Sequence, residues 1–276
     1  MRFATIRTPD GTRAARLEGE ELVLLDSPDV GALLASSDFG RAAHAETGAS
    51  VAVAHADFAT LVTNPSKVVC VGLNYRSHIM EGNAEVPEYP TLFAKYTEAL
   101  IGARDEIILP SVSEMTDWEV ELTAVIGSRT RHASLAEAEA AIAGFTVGND
   151  ISIRDYQRRT VQWLQGKTFE HSTPIGPYLT TSDEIDGARD LEISCSVDGE
   201  MMQQARTSDL LFSPFDVVSY ISDVISLNPG DLVLLGTPAG VGHARKPSVF
   251  LKPGQVVRSA IEGIGECVNP CAREKV

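Results

Sequence analysis

Apolar residues along this chain fall into short runs broken by Gly, Pro, Asn and Asp. Runs of that kind predict strands more than long helices. Phe3-Ala4-Thr5-Ile6-Arg7 and Arg13-Ala14-Ala15-Arg16-Leu17, joined by Pro9-Asp10-Gly11, predict a hairpin, and Leu22-Val23-Leu24-Leu25 a further strand. Val68-Val69-Cys70-Val71 and Leu232-Val233-Leu234-Leu235 are apolar throughout, as buried strands are. Leu191 to Val197 and Met201 to Ala205 flank an Asp198-Gly199 turn, a second hairpin signal. Helical periodicity is confined to a few places. Ser134-Leu135-Ala136-Glu137 is a capping box that opens an alanine-rich helix to Ala143. Pro214 to Ile225 predicts another helix, as does the segment from Asp155 through Leu164, and Val30 to Ala59 reads as helical in parts. The fold class expected is a strand-rich α+β protein. Residues 1–62 read as a small N-terminal α/β domain, Asn64-Pro65-Ser66-Lys67 as a linker, and 63–276 as the main domain.

Alternation matters most from Asp117 to Gly127. Glu119 and Glu121 lie on one strand face, and Val120 and Leu122 on the other. Two carboxylates on one face repel, so they share a proton, meet Arg or Lys, or bind a cation. An isolated Glu-x-Glu is most simply a solvated edge face. Asp150 changes that balance, because it ends the apolar run Gly144-Phe145-Thr146-Val147-Gly148-Asn149. Three hard oxygen ligands at neighbouring strand ends suit Mg²⁺, Mn²⁺ or Ca²⁺ better than zinc.

Other chemistry-bearing residues are scattered. If the chain turns helical after Asn74, His78 and Glu81 share a face, and the carboxylate orients the imidazole and raises its basicity. Lys95 closes the strand candidate Thr91-Leu92-Phe93-Ala94. Gly236-Thr237-Pro238-Ala239-Gly240-Val241-Gly242 lacks the Lys-Ser or Lys-Thr pair of a phosphate loop, but its backbone amides and Thr237 hydroxyl suit a small carboxylate.

Charge and cysteine usage bound the rest. A formal net charge of −15 over 276 residues argues against nucleic acid or an anionic membrane as partner. No apolar run is long enough to cross a membrane, and the polar Met1-Arg2-Phe3-Ala4-Thr5-Ile6-Arg7 is not a signal peptide. Cys70, Cys195, Cys267 and Cys271 complete no zinc site, which fits a reducing cytoplasm.

The order Gly72-Leu73-Asn74-Tyr75, His78, Glu81, Phe93-Ala94-Lys95, Glu119-Val120-Glu121, Gly148-Asn149-Asp150, Arg154-Asp155-Tyr156-Gln157, Gly166-Lys167, Gly199-Glu200 and Gly236-Thr237-Pro238-Ala239-Gly240 resembles the fumarylacetoacetate hydrolase family over about residues 66 to 270. The resemblance implies a mixed β-sandwich or β-roll core and a homodimer. It implies a divalent cation on Glu119, Glu121 and Asp150. By the same resemblance His78 and Glu81 activate water, and Lys167 sits near the substrate's oxygens. Lys95, Arg154, Gln157 and Thr237 then bind a small 2-oxo acid. All such reactions develop charge on a 2-oxo oxygen, which a Lewis acid stabilises. The dyad makes a C–C hydrolase of acylpyruvates, such as fumarylpyruvate in aromatic catabolism, the first expectation. The alternatives are a 2-hydroxyhepta-2,4-diene-1,7-dioate isomerase/decarboxylase, an oxaloacetate decarboxylase, or, in another class, a non-catalytic binder of metal and 2-oxo acid.

Overall fold

Strand pairing follows the apolar runs. In the computed structural model, which describes residues 1–275, one large sheet runs Glu46–Ala52, Glu21–Leu25, Gly11–Glu18, Arg2–Thr8, Thr173–Thr181, Ile142–Asn149, Val120–Ile126, Leu232–Leu234, Val68–Gly72 and Thr91–Lys95. A five-stranded sheet is made of Glu200–Arg206, Glu192–Val197, Val256–Ile261, Gly265–Arg273 and Ile107–Leu109. The helices are short, so the architecture is strand-rich α+β. The N-terminal hairpin is not set apart from this sheet. Arg2 and Phe3 pair with Thr180 and Leu179, so the sheet runs across the 62/63 boundary.

Val120–Ile126 is central rather than an edge, with Ile142–Asn149 on one side and Leu232–Leu234 on the other. All seven of its residues are buried. The alternation read from the sequence holds. Val120, Leu122, Ala124 and Ile126 enter one core cluster, whereas Val125 packs in a second with Val68, Cys70, Leu232 and Leu234. Glu121 is on the face of Val125.

Two local expectations shift. Glu46–Ala52 is a strand inside the segment read as partly helical, because it pairs with Glu21–Leu25 at the sheet's end. The helix expected through Leu164 splits into Arg154–Gln157 and Leu164–Lys167. Between them the chain carries Trp163 to Phe93, ring centroids 5.7 Å apart. Ser134 does cap Leu135–Ala141 through a complete capping box.

Candidate active site

Strand register assembles the carboxylates. Val120 pairs with Asn149 and Glu121 with Gly148, so Asp150 comes opposite Glu119, and its N–H donates to Glu119 O at 2.8 Å. Glu119 lies just before the regular strand and is fixed from behind: its N–H donates to Asn149 Oδ1 at 2.9 Å. One carboxylate oxygen from each of Glu119, Glu121 and Asp150 lies within 4.8 Å of the others, and all three side chains are buried.

Charges placed around the cluster decide its character. Lys167 Nζ bridges Glu119 Oε2 and Asp150 Oδ2, at 2.6 Å from each. Arg154 joins Glu119 Oε1 at 2.7 Å and Asp117 Oδ2 at 2.8 Å. Lys95 lies 2.7 Å from Asp150 Oδ1, outside hydrogen-bond geometry, and donates to the backbone carbonyl of Lys167. Burial works against the charge on Glu119, but Lys167 and Arg154 outweigh it and hold this carboxyl far below its usual range. Among the described residues Glu121 has no such partner and accepts only the Gly236 N–H, at 2.8 Å. Burial, then Asp150 and Glu119, push its carboxyl well above the usual range. Asp117, Glu119, Glu121 and Asp150 face Lys95, Arg154 and Lys167, so full ionisation leaves one negative charge unmatched. Three buried hard-oxygen donors with an unmatched charge fit a divalent cation.

The dyad forms as its spacing predicts. Arg76–Glu81 is helical, and His78 Nδ1 lies 3.1 Å from Glu81 Oε2. The other Glu81 oxygen accepts the Gly240 N–H at 2.9 Å, which ties the helix to the glycine-rich loop. Burial opposes the charge on Glu81, but the bonds from His78 and Gly240 hold its carboxyl below the usual value. Gly236 has φ +94°, and a Cβ there would come within 2.9 Å of Asn74 Cβ, so this loop passes too close for a side chain.

A cavity of about 420 Å³ collects most of the sequence-identified residues: His78, Glu119, Glu121, Arg154, Gln157, Lys167 and Thr237 all line it. Asp150 and Lys95 are buried behind it. Lys95 therefore sits against Asp150 and Lys167 and is not part of the cavity lining. Thr237 donates to Val120 O at 2.9 Å and accepts from Gln203 Nε2 at 2.8 Å, so its hydroxyl already has both a donor and an acceptor partner. Gln157 accepts from Arg154 Nη1 at 2.9 Å.

Other residues of the site carried no signal in the sequence. Asp117 is fully buried and accepts from Gly242 N–H at 2.7 Å, His243 N–H at 3.0 Å and Arg154 Nε at 2.8 Å. Its partners lie far along the chain, so only the fold reveals it. His243, Arg158 and Trp163 line the cavity too.

Residues 67–272 match the family model described as fumarylacetoacetate (FAA) hydrolase C-terminal. A rat protein named oxaloacetate tautomerase Fahd2a, mitochondrial, is 46% identical over 213 residues, which cover 77% of this chain and 68% of that protein. The structure of 2-hydroxyhepta-2,4-diene-1,7-dioate isomerase from Mycobacterium marinum superposes with a TM-score of 0.83 at 35% identity and covers 100% of both chains. That of 5-carboxymethyl-2-hydroxymuconate delta-isomerase from Mycobacterium smegmatis gives 0.84 at 33% identity, over 99% of this chain and 100% of the other. The mitochondrial name of the rat relative corrects the expectation of a cytoplasmic protein. That expectation rested on cysteine usage, and four free buried thiols do not distinguish one reducing compartment from another. With the carboxylate cluster, the dyad and these matches together, the chain belongs to the fumarylacetoacetate hydrolase family.

Proposed function

We propose that this protein is a divalent-metal-dependent enzyme that interconverts the enol and keto forms of a 2-oxo dicarboxylic acid, oxaloacetate being the representative substrate. The observation that carries this reading is His78, paired with Glu81, lining the same cavity as Glu119, Glu121 and Lys167. A Mg²⁺ or Mn²⁺ ion on Glu119, Glu121 and Asp150 would supply Lewis-acid stabilisation of negative charge at the 2-oxo oxygen.

Keto–enol conversion moves one proton between C3 and the 2-oxo oxygen. Glu81 occupies Nδ1 of His78, which leaves Nε2 to take the proton at C3 or to return it. The ammonium of Lys167 is buried among carboxylates. Burial opposes its charge, but Asp150 and Glu119 outweigh it and raise its pKa, so it stays cationic beside the developing oxyanion. Hydrolysis of an acylpyruvate, the first expectation from the sequence, passes through the same enolate. Enolisation is preferred because the rat relative is named a tautomerase and two structural neighbours are named isomerases.

Loss of oxaloacetate enol absorbance, followed with Mg²⁺-loaded protein, tests this. The wild type should accelerate ketonisation. His78→Ala should lower the rate by a factor on the order of 10²–10⁴, as loss of a general base does, with Mg²⁺ affinity retained. A wild type that leaves tautomerisation at the solution rate but cleaves acylpyruvates would refute the proposal and restore the hydrolase reading.

A further inference from the structure

Two side chains of the cavity wall, the guanidinium of Arg158 and the imidazole of His243, make no contact with Glu119, Glu121 or Asp150 among the described residues. Arg158 follows the short helix Arg154–Gln157, is exposed and lines the cavity. Among the described residues its guanidinium has no carboxylate partner. Arg159, next in the chain, stacks over the Tyr156 ring at 3.4 Å and lies 3.9 Å from Asp155. His243 enters the cavity from the glycine-rich loop with 24% of its side chain exposed. Asp117 stands behind it: Oδ2 accepts the His243 N–H at 3.0 Å and lies 3.5 Å from the ring Nδ1. A carboxylate behind one imidazole nitrogen orients the ring and turns the other nitrogen outward.

Charge complementarity says what these two groups are for. Asp117, Glu119, Glu121 and Asp150 leave one negative charge after Lys95, Arg154 and Lys167 are counted. A divalent cation turns that into a single positive charge, which matches one substrate carboxylate. A second carboxylate must find its counter-charge elsewhere, on a protein whose overall charge of −15 repels it. Much of the remaining wall is apolar, with Val71, Leu73, Ala84, Phe93 and Trp163, and suits a hydrocarbon middle.

We infer that Arg158 and His243 receive the distal carboxylate and select 2-oxo dicarboxylates over 2-oxo monocarboxylates. This rests on the reading of the site as one for 2-oxo acids. The test is calorimetric binding to the Mg²⁺-loaded, full-length protein, so no turnover is involved. The probes are oxalate, which has the head group only, and two matched pairs: 2-oxoglutarate with 2-oxopentanoate, and 2-oxoadipate with 2-oxohexanoate. Wild type should bind each dicarboxylate about tenfold more tightly than its monocarboxylate mate, as a charge-assisted contact gives. Arg158→Gln should shrink that preference to about twofold, Arg158→Lys should keep most of it, and His243→Gln should fall between. Oxalate affinity should not change in any variant. Absence of the preference in wild type overturns the inference, as does its survival in Arg158→Gln and His243→Gln. An equal loss for oxalate and the dicarboxylates also overturns it, because the residues would then act on the site as a whole. A wild type that binds none of the probes instead overturns the reading of the site itself.

Discussion

Asp117 is the residue whose loss should cost most outside the carboxylate cluster. Removing its carboxylate strands the Gly242 and His243 amides and Arg154 Nε, all within 3.0 Å of it. An orphaned buried donor costs about 1–3 kcal/mol, and breaking a buried ion pair about 3–5 kcal/mol; the losses share partners and do not add. Asp117→Ala should therefore destabilise the protein by about 3–5 kcal/mol. Asp117→Asn keeps one oxygen, for either the Gly242 amide or the His243 amide and Arg154 Nε, and should cost about 1–3 kcal/mol. The substitution also reaches the site. With Asp117 neutral, Arg154 retains only Glu119 as a counter-charge and competes harder with a cation for it. Mg²⁺ affinity of Asp117→Asn should fall by about tenfold, in the range of outer-shell effects on metal sites. A pH signature accompanies this. Burial opposes the charge of Asp117, but Arg154 and His243 prevail and depress its pKa. The stability it confers is complete above the unfolded carboxyl value of about 3.9 and is lost as pH falls through the depressed folded value, so Asp117→Asn should flatten the acid limb. Urea unfolding across pH and Mg²⁺ calorimetry measure these effects. An Asp117→Ala protein within about 1 kcal/mol of wild type would show that the buried network is not what holds the loop.

Glu121→Gln keeps the acceptor for Gly236 N–H and removes a carboxylate that Asp150 and Glu119 oppose. It should leave metal-free stability at or above wild type but weaken Mg²⁺ binding by at least about 100-fold; calorimetry showing near-wild-type affinity would rule out this metal site. Gly166→Ala places a Cβ against the backbone of Gln157, 2.5 Å from its Cα, so the helix Leu164–Lys167 must shift and draw Lys167 from its two carboxylates. A loss of about 1–3 kcal/mol by thermal unfolding should accompany a fall in turnover, and a variant normal in both would contradict that packing.

What could be read from the sequence was short-range or periodic. Glu119 and Glu121 share a face because strand side chains alternate, and His78 meets Glu81 because positions three apart on a helix are neighbours. Ser134 caps its helix through contacts contained within four residues. Asp150 could be grouped with the two glutamates, although its register opposite Glu119 needed strand pairing. Lys95 illustrates the limit. The family resemblance assigns it to the substrate, but its strand lies beside Val68–Gly72 and turns the ammonium toward Asp150 and the carbonyl of Lys167. Glu46–Ala52 was missed for a similar reason, since an exposed strand paired on one side shows little apolar periodicity.

Asp117, His243 and Arg158 share a different kind of invisibility. No local pattern names a partner for any of them, and each gains meaning from a group brought to it by the fold. Arg154 neutralises part of Asp117 and part of Glu119, so the glycine-rich loop and the carboxylate cluster are joined through one guanidinium. Through Gly240 the same loop holds Glu81, and through Glu81 it holds His78. The pair proposed to move the proton and the carboxylates proposed to hold the cation are thus tied together through one loop. A displacement of the loop should then alter cation affinity and the pH dependence of turnover together, whereas separate supports would let the two vary independently.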